Sequence, residues 1–347
     1  RFIGGKTMKR IISLVLATAL LFALSGCGNS NQQVNNTENN STLSENTGSG
    51  DSDDLIVVGF SQVGAESDWR TANTKSMQET FTEDKGYKLI FDDAQQKQEN
   101  QITAIRNFVQ QEVDYIVLAP TSETGWDAVL QEAKNAGIPV IIVDRMVDVS
   151  SDDLFTCWVG SDFRSEGDKA VKWMEEKFGS DPLKIIHLQG SIGSSAQIGR
   201  TDGLEAGVEA HDNWEIIAQQ TGEFTQAKGQ EVMESFLKQY SDFDIVYAEN
   251  DNMAFGAIDA LEAAGVDPKT DVSIISFDTT RSGLENTLSG NIKYNVECNP
   301  LHGPRVETLI KQLESGETPE KLAYVDETTF DSETITQEMI DRKSTRF

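Results

Sequence analysis

Cysteine and histidine are almost missing from these 347 residues, with three of each. So few cysteines exclude a disulfide scaffold. Apart from Cys27 only Cys157 and Cys298 remain, which either form one bridge in an oxidising compartment or stay as two buried thiols. His187, His211 and His302 stand apart, with no partner at ligand spacing, so no metal site is expected. Basic residues are also scarce: 29 Lys and Arg face 57 Asp and Glu. A nucleic-acid binder needs a basic footprint, so that class is excluded. No G-x-S-x-G elbow, P-loop or H-E-x-x-H motif is present. The glycines of LQGSIGSSAQIGR lack dinucleotide spacing, and Gly190, Gly193, Ser194 and Ser195 read as a close turn at a helix start. Neither a catalytic constellation nor a cofactor is expected.

The one long apolar run is short. MKRIISLVLATALLFALSGC begins at Met8 with Lys9 and Arg10 and is apolar from Ile11 to Leu24. A basic start followed by such a run reads as a signal peptide. It falls short of the roughly 20 residues that span a bilayer. It ends in LSGC, Leu24 to Cys27, which resembles the lipobox of bacterial lipoproteins. The expectation is removal of residues 1–26, including the upstream RFIGGKT, and lipidation of Cys27. That leaves 25 basic against 57 acidic residues, a net charge of −32. The stretch 27–54, Asn-, Ser-, Thr- and acid-rich with little to bury, reads as a disordered tether. Its reach is about 30 Å.

From Leu55 onward the pattern changes. LIVVGFSQ, YKLIFDD, DYIVLAP and IPVIIVD read as buried parallel strands, with amphipathic helices between them. In one helix Ile102, Ile105, Phe108 and Val109 share a face. A second series follows in LKIIHLQG, WEIIAQQTG, DIVYAEN and VSIISFD. Asp114–Asp144 and Asp244–Asp278 rhyme: Asp, strand, polar strand end, helix, Ala-Gly, strand, Asp. The reading is two similar doubly wound α/β domains.

Ligands of such sheets bind beyond the carboxyl ends of the strands. Those ends carry Gln62, Asp144–Arg145, Asn250 and Asp278. Each alone is an ordinary helix cap; all four together point to a polar cleft. After the first strand, GAESDWR sets Trp69 beside Arg70. That is either a core indole with an Arg lying along it, or a flat aromatic face beside planar donors, as a sugar site needs.

The two rhyming halves, VDR at the end of IPVIIVDR and AEND in VYAENDNMAFGAIDAL resemble the periplasmic sugar-binding proteins of ABC importers. VGFSQVGAESDWR, QQKQENQITAIRNFV, GEFTQAKGQEVMESF and TPEKL are similar to galactofuranose-binding members of that family. The resemblance runs from about Leu55 to the 330s. It implies the type I periplasmic-binding-protein fold, two doubly wound domains joined by a three-stranded hinge. The implied domains are 55–160 plus 299–325 and 161–298 plus 326–347. The implied ligand residues are Gln62, Glu66, Trp69, Arg70, Asp144 and Arg145, then Arg200, Phe224, Asn250 and Asp278. Glu297 falls where the family has a polar residue at a hinge crossing. TRSG after Asp278, and Phe163 where relatives often have Asn, depart from the pattern.

The implied protein is a monomeric, extracytoplasmic, lipid-anchored binder that delivers a monosaccharide to an ABC permease. It touches the membrane only through its anchor. A receptor reporting to a sensor kinase or chemoreceptor would use the same closed shape. Sugar-responsive repressors share the two-domain body, but the signal segment and the absence of a helix-turn-helix head exclude them. A glycosidase using Asp144 and Asp278 is disfavoured because neighbouring arginines are expected to keep both ionised.

Overall fold

The computed structural model describes residues 55–343; the signal segment, Cys27, the tether and residues 344–347 lie outside the described residues. Two six-stranded sheets are built in the same way. The first holds β1 (Ile56–Gln62), β2 (Tyr87–Asp93), β3 (Tyr115–Leu118), β4 (Val140–Val143), β5 (Cys157–Gly160) and β11 (Leu322–Tyr324), in the order β11-β5-β4-β3-β1-β2. All its neighbours are parallel. The second holds β6 (Leu183–Gln189), β7 (Trp214–Thr221), β8 (Ile245–Ala248), β9 (Ser273–Asp278), β10 (Tyr294–Glu297) and β12 (Thr329–Asp331), in the order β12-β10-β9-β8-β6-β7. Only β12 runs antiparallel, against β10. Each half therefore repeats one doubly wound order and has its switch point beside its first strand. β3, β4 and β8 are buried along their whole length, which is why they read as unbroken apolar runs.

The chain leaves the first sheet after Gly160 and returns after Glu297. It crosses once more between Tyr324 and Thr329. On the first sheet, α1 (Asp68–Thr80) and α9 (Gly303–Glu314) cover one face, with Met77, Val306 and Ile310 against Val58 and Phe60. The helices α2 (Gln98–Gln110) and α3 (Asp127–Asn135) cover the other, with Phe108 and Leu130 against Ile116 and Ile142. Burying each such side chain contributes about 1.5–3 kcal/mol. Cys157 and Cys298 are both buried free thiols, so the bridge left open by the sequence is not formed.

In the second lobe α4 (Phe163–Phe178) and α5 (Ser195–Ala210) touch almost backbone to backbone. Gly199, Gly203 and Gly207, four residues apart and so on one face of α5, meet Phe163, Gly167 and Val171 on α4. A Cβ on Gly203 would lie 2.6 Å from the Gly167 Cα. This contact carries Glu166 and Arg200 to one point. The helices α6 (Gln226–Leu237), α7 (Asp251–Ala263), α8 (Arg281–Ser289) and α10 (Gln337–Arg342) complete the lobe.

The repeat extends to the backbone dihedrals. Asp144 and Asp278, at matching ends of β4 and β9, have φ of 64° and 102°. Past β2 and β7 stand matching left-handed pairs, Gln95–Gln96 (53° and 62°) and Glu223–Phe224 (56° and 61°). Non-glycine residues pay a steric cost there, and such positions cluster at functional sites.

Candidate ligand-binding site between the lobes

The site begins with a helix cap. Ser67 precedes α1 and accepts the Arg70 amide at 3.1 Å, which fixes the first turn and turns Trp69 and Arg70 inward. Both are buried. The Trp69 indole donates to the Cys298 carbonyl at 2.7 Å, pinning the ring to a hinge segment. The Arg70 guanidinium lies 4.7 Å from the Trp69 ring centre. It donates to Glu66 at 3.1 Å and to Gln62 at 3.2 Å, and lies 2.8 Å from Asp144 Oδ2. Gln62 in turn holds Asn73 and Thr74 of α1. Burial opposes the Arg70 charge, but Asp144 and Glu66 outweigh it and hold its pKa above the ordinary value.

Arg145 is different. Its closest polar contacts are the Thr121 carbonyl at 3.3 Å and Glu66 at 3.5 Å, and it lies 5.2 Å from the Phe224 ring centre. Burial first, then Arg70, push its pKa down to about 10. It is a buried cation with unfilled donors. Facing it, Arg200 donates to Glu166 at 2.7 Å and to the Glu249 carbonyl at 2.5 Å, and lies 3.5 Å from Asp278. Burial pushes the Asp278 and Glu166 carboxyls up, against the pull of Arg200. At Asp278 burial works against the ion pair with Arg200, which the expectation from the sequence did not include.

The AEND tetrapeptide divides its work. Glu249 accepts from the Gly190 amide at 2.6 Å and Thr201 at 2.6 Å, and lies 2.9 Å from His187. Asn250 caps α7 and donates to the Phe224 carbonyl at 3.0 Å, holding that left-handed residue. Asp251 accepts from Ser276, Thr280 and Asn295, tying the helix to β9 and β10.

Between the lobes lies a small polar cavity. Nine of the eleven expected residues line it: Glu66, Trp69, Arg70, Asp144, Arg145, Arg200, Phe224, Asn250 and Asp278. Gln62 and Glu297 do not. Gln62 stands behind Arg70, and Glu297 pairs with Lys343 at 3.1 Å beside the hinge. Ser67, Phe163, Ala196 and Cys298 line the cavity without having been singled out as ligand residues. Phe163 had stood out only as a departure from the family pattern, and the capping signature of Ser67 was the one local clue. The lobes are shut upon it: the Asp68 amide reaches Asn252 at 3.0 Å, Met146 reaches Ser195 at 2.8 Å, and Glu123 reaches the Gly193 carbonyl at 2.9 Å. Two acceptor atoms in the first lobe, Glu66 Oε2 and Asp144 Oδ2, are buried without a hydrogen bond among the described residues. The second of these is engaged by Arg70 in an ion pair at 2.8 Å.

Glu327 binds the three crossings together. It accepts from Ser161 at 2.7 Å and from the Asn299 amide at 2.6 Å. With Glu166 and Cys298 it forms the only cluster of metal-donor type among the described residues, but these hydrogen bonds already engage Glu327, and Arg200 engages Glu166. Burial first, then Glu166, raise the Glu327 pKa to about 8. A carboxyl raised in the folded state contributes stability at low pH that is lost as pH rises through that value. Melting temperature should therefore fall as pH rises from about 4.5 to about 8, and Glu327→Gln should flatten the fall. An equal fall in both proteins would show that Glu327 is not the titrating group.

A model of the periplasmic binding protein domain matches residues 58–302. The chain belongs to that family. It is 39% identical over 293 residues to the galactofuranose-binding protein YtfQ of Escherichia coli, covering 83% of this chain and 92% of that one. A Mycobacterium smegmatis protein solved in complex with β-D-fucofuranose aligns with a TM-score of 0.78 and 44% identity, over 80% of this chain and 92% of that one. The binding component of the arabinose ABC transporter of Shewanella sp. ANA-3, solved with L-arabinofuranose, aligns with a TM-score of 0.77 and 42% identity, over the same shares. The fold is that of type I periplasmic binding proteins, and the family is one of binding proteins rather than enzymes.

Proposed function

We propose that this protein captures a furanose sugar between its lobes and delivers it to an ABC importer, with galactofuranose as the leading ligand. The observation that carries this is the shut cavity. Three aromatic side chains and three guanidinium groups line it, together with the Glu66, Asp144 and Asp278 carboxyl groups. A sugar offers both hydroxyl donors and acceptors and an apolar C–H face. Arg145 can donate to it, Glu66 and Asp144 can accept from it, and Trp69 and Phe224 can cover the ring. The furanose complexes of its relatives point the same way.

In this reading residues 55–160 with 299–325 move as one body and 161–298 with 326–347 as the other. Cys27 carries the lipid that holds a monomer at the outer face of the membrane. Calorimetry and thermal shift with L-arabinose, D-galactose and methyl β-D-galactofuranoside test the sugar. A ligand at 100 times its Kd should stabilise by about 2.7 kcal/mol. No response to any of the three would end the furanose reading. Membrane fractionation tests the anchor, since Cys27→Ala should lose membrane association or processing, and an unaltered distribution would remove the lipid.

Gly190 supplies a further test. A Cβ there would meet the Phe224 ring at 2.0 Å. Gly190→Ala is expected to drive the ring from its place and weaken sugar binding at least tenfold. Unaltered affinity would mean that Phe224 does not cover the sugar.

A further inference from the structure

A second space, an open groove, lies at the seam between the lobes. Val63, Gln96 and Thr121 line it from the first lobe, and Ser191, Ile192, Thr221 and Glu223 from the second. Arg145 is the wall it shares with the sugar cavity. The groove therefore forms where the lobes meet, directly beside the site already described.

Three observations mark it as built for a ligand. Thr121 Oγ1 is buried and has no hydrogen-bond partner among the described residues, although the Thr121 carbonyl accepts from Arg145. Gln96 and Glu223, which line the groove from opposite lobes, both belong to the left-handed pairs that follow β2 and β7. Within the second pair Phe224 walls the sugar cavity while its neighbour Glu223 walls the groove. Ile192, 62% exposed, is the most exposed large apolar side chain among the described residues, and it stands on the turn that closes against Glu123. Its surroundings are hydroxyls, an amide and a carboxylate, which suit a hydroxylated ring with one apolar face.

We infer that the groove is a second subsite for a sugar unit joined by a glycosidic oxygen to the furanose in the cavity. This rests on the furanose reading. The ligand class becomes a short furanoside, with the linkage passing Arg145. The walls are held by the Gln96 amide on the Val63 carbonyl at 2.7 Å and by the Thr221 hydroxyl on the Gly190 carbonyl at 2.5 Å.

Calorimetry with three ligands separates the outcomes: free L-arabinose, methyl β-D-galactofuranoside, and the β-1,6-linked galactofuranosyl disaccharide. The disaccharide should bind at least tenfold tighter than the methyl furanoside. The double variant Thr121→Val, Glu223→Gln should erase that gain and leave the methyl furanoside within twofold of the parent. A disaccharide that binds no tighter, or a gain that survives the double variant, overturns the subsite. Binding of arabinose with rejection of both furanosides also overturns the subsite and spares the furanose reading. Failure of all three ligands overturns both.

Discussion

Arg200→Met is expected to destabilise the second lobe and abolish sugar binding together. Arg200 is buried and joins Glu166, Asp278 and the Glu249 carbonyl. Glu166 Oε1 already lacks a hydrogen bond, so loss of the guanidinium leaves that carboxyl without its main counter-charge. Removing one partner from a buried ion cluster costs about 3–5 kcal/mol. For a body of this size that is on the order of 10 °C in melting temperature. Methionine keeps the bulk and the packing against Phe163 and Phe277. Arg200→Lys should recover part of the stability but little of the affinity, because an ammonium cannot reproduce the fork. A melting temperature within 2 °C of the parent, within the scatter of surface substitutions, would show that the cluster is not held by Arg200.

Arg145→Ala should do the reverse to stability. Its contacts are long, and burial with the neighbouring Arg70 lowers its pKa, so the charge is a burden on the folded state. A cation depressed in the folded state costs stability while it remains protonated. The melting temperature of the unliganded variant should stay level or rise. Affinity should drop by at least one to two orders of magnitude, because a charged donor is lost from a desolvated site, about 2–5 kcal/mol. Two buried arginines on facing lobes would then differ in sign for folding and agree for binding, a stability–function trade-off confined to one of them. Unchanged affinity by calorimetry would place Arg145 outside the site.

The left-handed backbone of Asp144 and Asp278 fits the same division. Strain of this kind is tolerated where the surrounding structure fixes it. At Asp144 the backbone is held by its amide on the Val159 carbonyl and by the Trp158 indole on its own carbonyl. At Asp278 the carbonyl accepts the Cys298 amide, tying the strained residue to the hinge.

What the sequence determined was everything carried by local pattern. Unbroken apolar runs marked the parallel strands, because a strand covered on both faces has no polar side to show. The rhyme between Asp114–Asp144 and Asp244–Asp278 located the two halves, and strand-end position placed Asp144, Asn250 and Asp278 toward the cleft. The end of IPVIIVDR and the GAESDWR stretch brought in Arg145, Trp69 and Arg70, and resemblance added Glu66, Arg200 and Phe224 residue by residue. The tertiary structure alone decided which polar groups face the ligand and which face one another. Gln62 and Glu66 are four residues apart and both accept from Arg70, yet only Glu66 lines the cavity. The upward push of burial on the Asp278 carboxyl was likewise out of reach, since it comes from residues distant in the chain. So was the path of Arg200, which the glycine stripe of α5 sets by letting two helices touch. Periodicity reports which side of an element is apolar. Pairing among buried charges depends on ångström-scale distances between segments far apart in the chain, as Arg200 and Asp278 are at 78 residues, and no local pattern encodes those.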